Sequence, residues 1–129
     1  MLFFVDSFLS SIEVFEGNIY CASIGGFVRK YDSSGLLVDT FDVSVTCKTP
    51  VGICHDGGRF CLLDRDSSSV IGYDSSFSDD GYSFAVKRGV LSVYGIRFMG
   101  GLFYLTDQSS SEIVKIDSSG EESGSEIII

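Results

Sequence analysis

The chain is poor in several features on which common classes of protein depend: it has one proline, one histidine and no long apolar run. No segment reaches the roughly 18 apolar residues that a membrane-spanning helix needs, so we expect no membrane partner. A serine hydrolase needs a base beside its serine, and histidine is the usual base. The chain has only one histidine, His55, which argues against that class of enzyme. The 15 glycines and the abundance of Phe, Tyr, Val and Ile instead favour strands joined by tight turns.

Basic residues are scarce as well, with 9 Lys and Arg against 18 Asp and Glu and a net charge of −9. Phosphate contacts need a positive face, so we expect no nucleic acid partner. Such an excess of negative charge is typical of a sheet protein whose net charge keeps it soluble. The first residues have no basic segment and contain Asp6, which argues against a secretory signal and indicates a cytoplasmic protein.

One pattern recurs three times: an apolar stretch, a glycine turn, a second apolar stretch, a polar loop and a D-S-S turn. Ile12, Ile53 and Ile96 occupy the same position in the three copies, which sets a period of 41 to 43 residues. Stretches such as FCLL at 60–63 and LFYL at 102–105 are apolar on both faces, so each sheet needs cover on both sides. Blades of a β-propeller have such a period and cover one another in this way.

We therefore predict an all-β fold in which the whole chain is a single domain of three four-stranded propeller blades. The predicted blades lie at about 9–43, 50–86 and 93–129. We letter the strands a to d from the centre of the propeller outward, and a D-S-S turn joins strand c to strand d in each copy. The d strands are predicted at Leu37–Val43, Tyr82–Val86 and Ser125–Ile129.

The second c–d turn departs from the other two. Phe77 stands where the first and third copies have a glycine, and SDDG follows it at 78–81. A glycine ends such a turn because it takes left-handed geometry without strain. The substitution and the acidic residues after it predict a longer turn in the second blade.

The second copy also carries the clearest family resemblance. P-V-G-I at 50–53, followed by D-G-G-R-F-C-L-L-D at 56–64, is similar to the blade consensus of NHL-type propellers. E-G-N-I-Y at 16–20 and V-R-K-Y-D at 28–32 resemble the second and third strands of such a blade. Related patterns occur in YVTN and gluconolactonase-like propellers. The resemblance implies a propeller fold and a habit of binding other molecules, and it implies no activity.

Three blades are fewer than the four to eight of a propeller ring. The first and last blades would each expose an apolar face of roughly 300 Å², about the largest patch that a monomer tolerates. A two-fold axis can close two complementary faces of one chain. We therefore expect a homodimer that forms one six-bladed ring, with the first blade of each chain against the third blade of the other. A fragment of a longer propeller and half of a hetero-assembly are the alternatives.

The cysteines and the histidine lie close together in the sequence. The four cysteines are too few for a disulfide scaffold and include no C-x-x-C pair, so we expect reduced thiols. Cys54 and Cys61 are placed to face each other across a hairpin, and their redox state stays open. A zinc site of three cysteines and His55 would need converging ligands. His55 aligns with Val14 and Phe98 at core positions, whereas Cys54 points to the opposite strand face, so we expect a core histidine and no metal site.

The loop D-R-D-S-S-S at 64–69 faintly resembles a calcium loop. It lacks the glycine and the distal Glu of such loops. We therefore expect Asp64, and the equivalent Asp107, to accept hydrogen bonds from loop amides.

Basic residues are expected on one face of the ring. In propellers the d–a linkers and the b–c loops share the face around the channel mouth, and the c–d turns lie opposite. The candidate ligand- or partner-binding residues in those linkers and loops are Lys48, Thr49, Arg65, Lys87, Arg88 and Gln108. The opposite turns are acidic. This asymmetry predicts a site for a small anionic ligand or an acidic protein.

The sequence therefore favours a non-catalytic binding or assembly module with no cofactor and no catalytic residue. The alternative is an enzyme of the lactonase or hydrolase kind with its site in the propeller channel. Turnover of a lactone, or a metal held in the channel, would favour that alternative.

Overall fold

The chain folds into three four-stranded antiparallel sheets, which confirms the all-β prediction. The computed structural model describes residues 9–87, 92–123 and 127–128. The first blade contains β1 Leu9–Phe15, β2 Asn18–Ser23, β3 Phe27–Tyr31 and β4 Leu37–Asp42. The second contains β5 Pro50–His55, β6 Phe60–Asp64, β7 Ser69–Tyr73 and β8 Asp79–Ala85. The third contains β9 Val93–Met99, β10 Leu102–Asp107, β11 Glu112–Ile116 and β12 Ile127–Ile128.

Every blade is a meander, because its strand order follows the chain. β1 contacts β5, and β5 contacts β9, so the a strands of consecutive blades lie side by side. The twist between neighbouring strands then turns the outer strands of each blade away from the direction of the inner ones.

A carboxylate caps the turn between the third and fourth strands of each blade. Asp32, Asp74 and Asp117 each accept hydrogen bonds from the amides two and four residues further on, at 2.9 to 3.1 Å. The longer turn predicted for the second blade is wrong, since the Asp74 amide donates to the Ser78 carbonyl as in the other blades. Residues 79–81 belong to β8, where a shift in the pairing with β7 accommodates them.

Phe77 keeps the turn geometry of the glycine it replaces. Its φ of 57° lies in the left-handed region, as do the φ of 89° at Gly35 and of 90° at Gly120. Its ring is buried and stacks on Phe60 with 4.8 Å between the ring centroids. Packing between the blades therefore holds a bulky residue in a conformation that it rarely adopts.

Two buried clusters lie between the blades and form the core. The cluster between the first and second blades includes Tyr20, Ala22, Val28, Ile53, Phe60, Leu62, Ile71 and Tyr73. The cluster between the second and third includes Cys54, Cys61, Leu63, Val70, Ile96, Phe103, Leu105 and Val114. The second blade is thus covered on both faces, as its continuously apolar strands predict.

The outer strands differ from their predicted limits. β4 ends at Asp42, and β8 begins at Asp79, three residues before the predicted Tyr82. Of the predicted strand Ser125–Ile129, β12 comprises residues 127–128, and 124–126 and 129 lie outside the described residues.

Candidate functional site

Each blade presents two faces to its neighbours, because successive side chains of a strand alternate. We call the face turned toward the preceding blade in the chain the leading face, and the face turned toward the following blade the trailing face. In the second blade Ile53 lies on the leading face and packs in the cluster shared with the first blade. Its neighbour Cys54 lies on the trailing face and packs in the cluster shared with the third blade. We call each contact between consecutive blades a seam.

The leading face of the first blade is open. Ile12 occupies the position of Ile53 and Ile96, and its exposure is 56%, against 0% and 3% for those two residues. Val14, two residues further along the same face of β1, is 63% exposed. The first blade therefore presents to solvent, on its leading face, apolar side chains whose counterparts Ile53 and Ile96 are buried in seams.

The trailing face of the third blade is open as well. A pocket of about 300 Å³ lies on it and reaches the first blade at Ser11. The residues of the third blade that line the pocket are Gly95, Ile96, Arg97, Tyr104, Leu105, Thr106 and Ile113. The two open faces are opposite in kind, one leading and one trailing, as the two sides of a seam must be.

Polar side chains of β1 bridge the inner strands near the channel. The Ser11 hydroxyl accepts a hydrogen bond from the Ile53 amide at 3.2 Å, and Glu13 Oε2 accepts one from the His55 amide at 3.1 Å. Glu13 Oε1 lies 3.4 Å from Arg97 Nη1 in the third blade. One carboxylate therefore joins all three inner strands. Sequence analysis missed it, although Glu13 and Arg97 stand where the second blade has the buried Cys54.

His55 lies in the seam between the first two blades, half-buried. Its ring stacks on Phe15 with centroids 3.7 Å apart and an angle of 14° between the planes. Its Nδ1 accepts a hydrogen bond from the Gly57 amide at 3.0 Å. Cys54 and Cys61 are direct cross-strand partners, as predicted, and both are buried free thiols. The hydrogen bond with Cys61, and then burial, raises the pKa of the Cys54 thiol.

Asp64 and Asp107 cap their loops, which confirms the predicted role. Asp64 accepts a hydrogen bond from the Thr49 amide at 3.0 Å, and Asp107 accepts one from the Ser92 amide at 3.1 Å. Burial raises the pKa of Asp107, but hydrogen bonds from the Ser109 hydroxyl and then from the Ser92 amide outweigh it and hold the pKa below its ordinary range. Among the described residues, no three His, Cys, Asp or Glu side chains are placed to hold a metal ion.

Thr49 and Arg65 meet at the loop end of the second blade. The Arg65 amide donates to the Thr49 carbonyl at 3.0 Å, and the Thr49 hydroxyl donates to Asp66 Oδ2 at 2.8 Å. The exposed Arg65 guanidinium donates to the Tyr94 hydroxyl of the third blade at 2.7 Å. Lys48, next to Thr49, is exposed. The Arg65 side chain therefore connects the second and third blades at the loop end of the seam between them.

The other predicted binding residues lie apart from this pair. The exposed Gln108 is held through its amide, which donates to the Ser92 carbonyl at 2.9 Å. Lys87 lies at a c–d turn of the third blade: its amide donates to the Gly120 carbonyl, and its Nζ is 2.9 Å from Glu121 Oε1. The twist of β8, the outer strand of the second blade, brings the end of that strand close to this turn of the third blade. Arg88 lies outside the described residues.

No protein-family model matches the chain, and no curated protein matches it. The fold is similar to solved structures of β-propellers. Glutaminyl cyclase of Myxococcus xanthus matches with a TM-score of 0.75 and 17% identity, over 88% of this chain and 50% of the other. Virginiamycin B lyase of Staphylococcus aureus matches with a TM-score of 0.65 and 14% identity, over 95% and 41%. The WD40 repeats of RRP9 match with a TM-score of 0.66 and 14% identity, over 98% and 40%.

The chain thus spans half or less of the length of these structures. They include enzymes and a WD40 repeat protein, so the likeness leaves the activity open. No helix in the described part of the chain is long and apolar enough to cross a membrane. The chain has the fold of part of a β-propeller, with three of its blades.

Proposed function

We propose that this chain is a non-catalytic binding module that closes into a six-bladed ring with a second copy of itself. The two-fold axis would run along the channel, with the first blade of each chain against the third blade of the other. The motifs at 50–53 and 56–64 resemble those of NHL-type propellers, and this resemblance supports the proposal because such propellers form rings that bind other molecules.

The proposal rests on one observation: the isoleucine position of the inner strand is buried in the second and third blades and exposed in the first. Ile53 and Ile96 are buried at 0% and 3% exposure, and Ile12 at the equivalent position is 56% exposed. Burying an aliphatic side chain contributes about 1.5–3 kcal/mol. A third seam that buries Ile12 and Val14 in each chain therefore has a substantial driving force.

The area available is also sufficient. A blade face measures roughly 300 Å² from the length and spacing of its strands. Two seams with two faces each then bury about 1,200 Å², which is the lower limit of specific, stable interfaces. A heterologous contact that did not close would leave one face of each kind open at the ends of an array.

Small-angle scattering tests ring closure independently of a mass measurement. A compact protein of twice this chain length has a radius of gyration of about 18 Å, against about 14 Å for one chain. We expect the larger value together with a compact profile. A value near 14 Å at all concentrations would overturn the ring.

The loop end around Arg65 is the proposed binding site. Lys48 and Arg65 are exposed there, and Gln108 is exposed at the equivalent loop end of the third blade. Ring closure would place two copies of each around the channel mouth. Fluorescein-labelled poly-L-glutamate is a suitable acidic probe, with binding followed by anisotropy at low salt, where exposed charges act most strongly. We expect Arg65→Glu to weaken binding at least about tenfold, because it replaces attraction by repulsion.

Lys87→Glu is the matched control, since it changes the net charge equally at a residue that Glu121 already holds. We expect it to change the affinity less than Arg65→Glu. Equal losses would mean that only the net charge matters, and would contradict a local site.

The enzymatic alternative rests on Glu13, a carboxylate among the inner strands that contacts Arg97. Propeller-fold enzymes are present among the similar structures. Turnover of a panel of lactones that Glu13→Gln abolishes, with the fold intact by circular dichroism, would favour this alternative over a binding module.

A further inference from the structure

We infer that the pocket on the trailing face of the third blade binds the side chain of Ile12 from a second copy of this chain. The inference rests on the proposed ring and names the contact that closes it. It follows from a rule that both observed seams obey, in which an isoleucine of one inner strand lies against a small residue of the preceding one.

The first seam shows the rule at Ile53. The Ile53 amide donates to the hydroxyl of Ser11 on β1 at 3.2 Å. The second seam shows it at Ile96, more tightly. A Cβ added to Gly52 on β5 would lie 2.8 Å from Ile96 Cγ2 and 3.1 Å from the Ile96 amide nitrogen. A small residue at this position therefore lets the next inner strand approach.

Gly95 is the third member of this series and lies at the pocket. It occupies the position of Ser11 and Gly52 in its own repeat, one residue before the isoleucine. A Cβ added to Gly95 would meet only the Thr106 hydroxyl, at 3.6 Å. There is therefore room for another inner strand to pack against Gly95, as β5 packs against Ser11 and β9 against Gly52. Ile12 is the isoleucine that does not yet lie against a small residue of a preceding inner strand.

A second pair of positions agrees with this placement. Across the first seam Tyr20 packs on Phe60, with 4.5 Å between ring centroids. Tyr104 occupies the position of Tyr20, lies on the trailing face of the third blade and lines the pocket. The position of Phe60 corresponds in the first blade to Ile19, an apolar residue on the same leading face as Ile12. Tyr104 would therefore pack on Ile19 of the second copy.

Thiol cross-linking between two chains tests the contact. Ile12→Cys and Thr106→Cys are made as separate variants, purified, mixed in equal amounts in urea with a reductant and refolded together. The reductant is then replaced by an oxidant, so that thiols that meet across the seam form a disulfide. Leu63, the counterpart of Thr106, packs in the same buried cluster as Ile96, so the two new thiols are expected within reach. The described native cysteines are all buried and do not compete.

We expect a cross-linked dimer in the mixture and none in either variant alone, since two copies of position 12 lie in different seams. Val45→Cys mixed with Thr106→Cys is the matched control, because Val45 is exposed in the linker between the first two blades. A dimeric mass without the 12–106 cross-link would overturn this inference and leave the ring proposal standing. A monomeric mass would overturn both.

A charge at the same position gives a second measurement. Ile12→Glu should raise the dimer dissociation constant at least about 100-fold, because it would bury an unpaired carboxylate in each seam. Val45→Glu, with the same change in net charge, should leave it within about threefold. A dissociation constant unchanged by Ile12→Glu would show that the pocket takes something other than Ile12, such as a small ligand bound by Arg97.

Discussion

Gly52 of β5 lies directly against Ile96 of β9, so closely that an added methyl group would come within 2.8 Å of Ile96 Cγ2. The backbone of one blade therefore touches the side chain of the next with no room for a Cβ. This contact sets the spacing of the inner strands in the second seam.

Gly52→Ala should destabilise the protein by about 1–3 kcal/mol, the usual cost of overpacking a close-packed core. Urea unfolding at a fixed protein concentration measures the effect, since the stability of a dimer depends on concentration. Gly58→Ala is the matched control, because its added methyl group would meet only Asp56, at 3.7 Å. Equal effects of the two substitutions would contradict the close approach.

Phe77 offers a test of strain against packing. Phe77→Ala should cost about 3–5 kcal/mol through the loss of a buried ring. Phe77→Gly loses the same ring but relieves the left-handed conformation at φ 57°. We therefore expect the Gly variant to be more stable than the Ala variant by about 1 kcal/mol, opposite to the usual order of these residues. The reverse order in urea unfolding would argue against a left-handed residue at this turn.

Asp107 should contribute a pH-dependent part of the stability. Its pKa in the folded chain is lowered, so its contribution is present above the unfolded pKa of about 3.9 and is lost as pH falls toward the folded value. Asp107→Asn should cost about 1.5–3 kcal/mol at pH 7 through weaker hydrogen bonds, and less below pH 4. Unfolding free energies at several pH values between 2 and 7 measure this difference.

Asp39→Asn is the control for that series, since Asp39 is exposed on β4, and we expect it to change stability by less than about 0.5 kcal/mol. An Asp107→Asn variant that lost the same free energy at every pH would show that the Asp107 carboxylate does not titrate differently in the folded chain.

The thiols should be protected in the native protein. Cys47, Cys54 and Cys61 are fully buried, and Cys21 nearly so. Burial also raises the pKa of the Cys21 thiol, which leaves less of the reactive thiolate. Titration with Ellman's reagent should detect almost no thiol in buffer and all four in guanidinium chloride. A thiol that reacts rapidly in buffer would contradict the described packing.

Sequence reasoning was sufficient for the strands and the blades because each repeat carries its own turn and strand signals. The alternation of Ile53 and Cys54 between two seams could be predicted from strand geometry alone. The start of β8 could not, since residues 79–81 have turn-forming side chains and a shift in strand pairing keeps them in the sheet.

The candidate site was less predictable because it depends on how blades are arranged relative to one another. The contact between Lys87 and Glu121 arises from the twist of an outer strand, which a repeat pattern does not express. The bridge from Glu13 to Arg97 joins residues 84 positions apart. No local signal marks such a pair, although the two polar residues at a seam position were a sign that this position differs in the first and third blades.

The solution mass of the chain tests the central claim most directly. Light scattering after size exclusion, over a dilution series, should give twice the 14.0 kDa of one chain, because two complementary seams close the ring. A stable, well-behaved monomer across the series would contradict the account, since the open faces of the first and third blades would then remain in water.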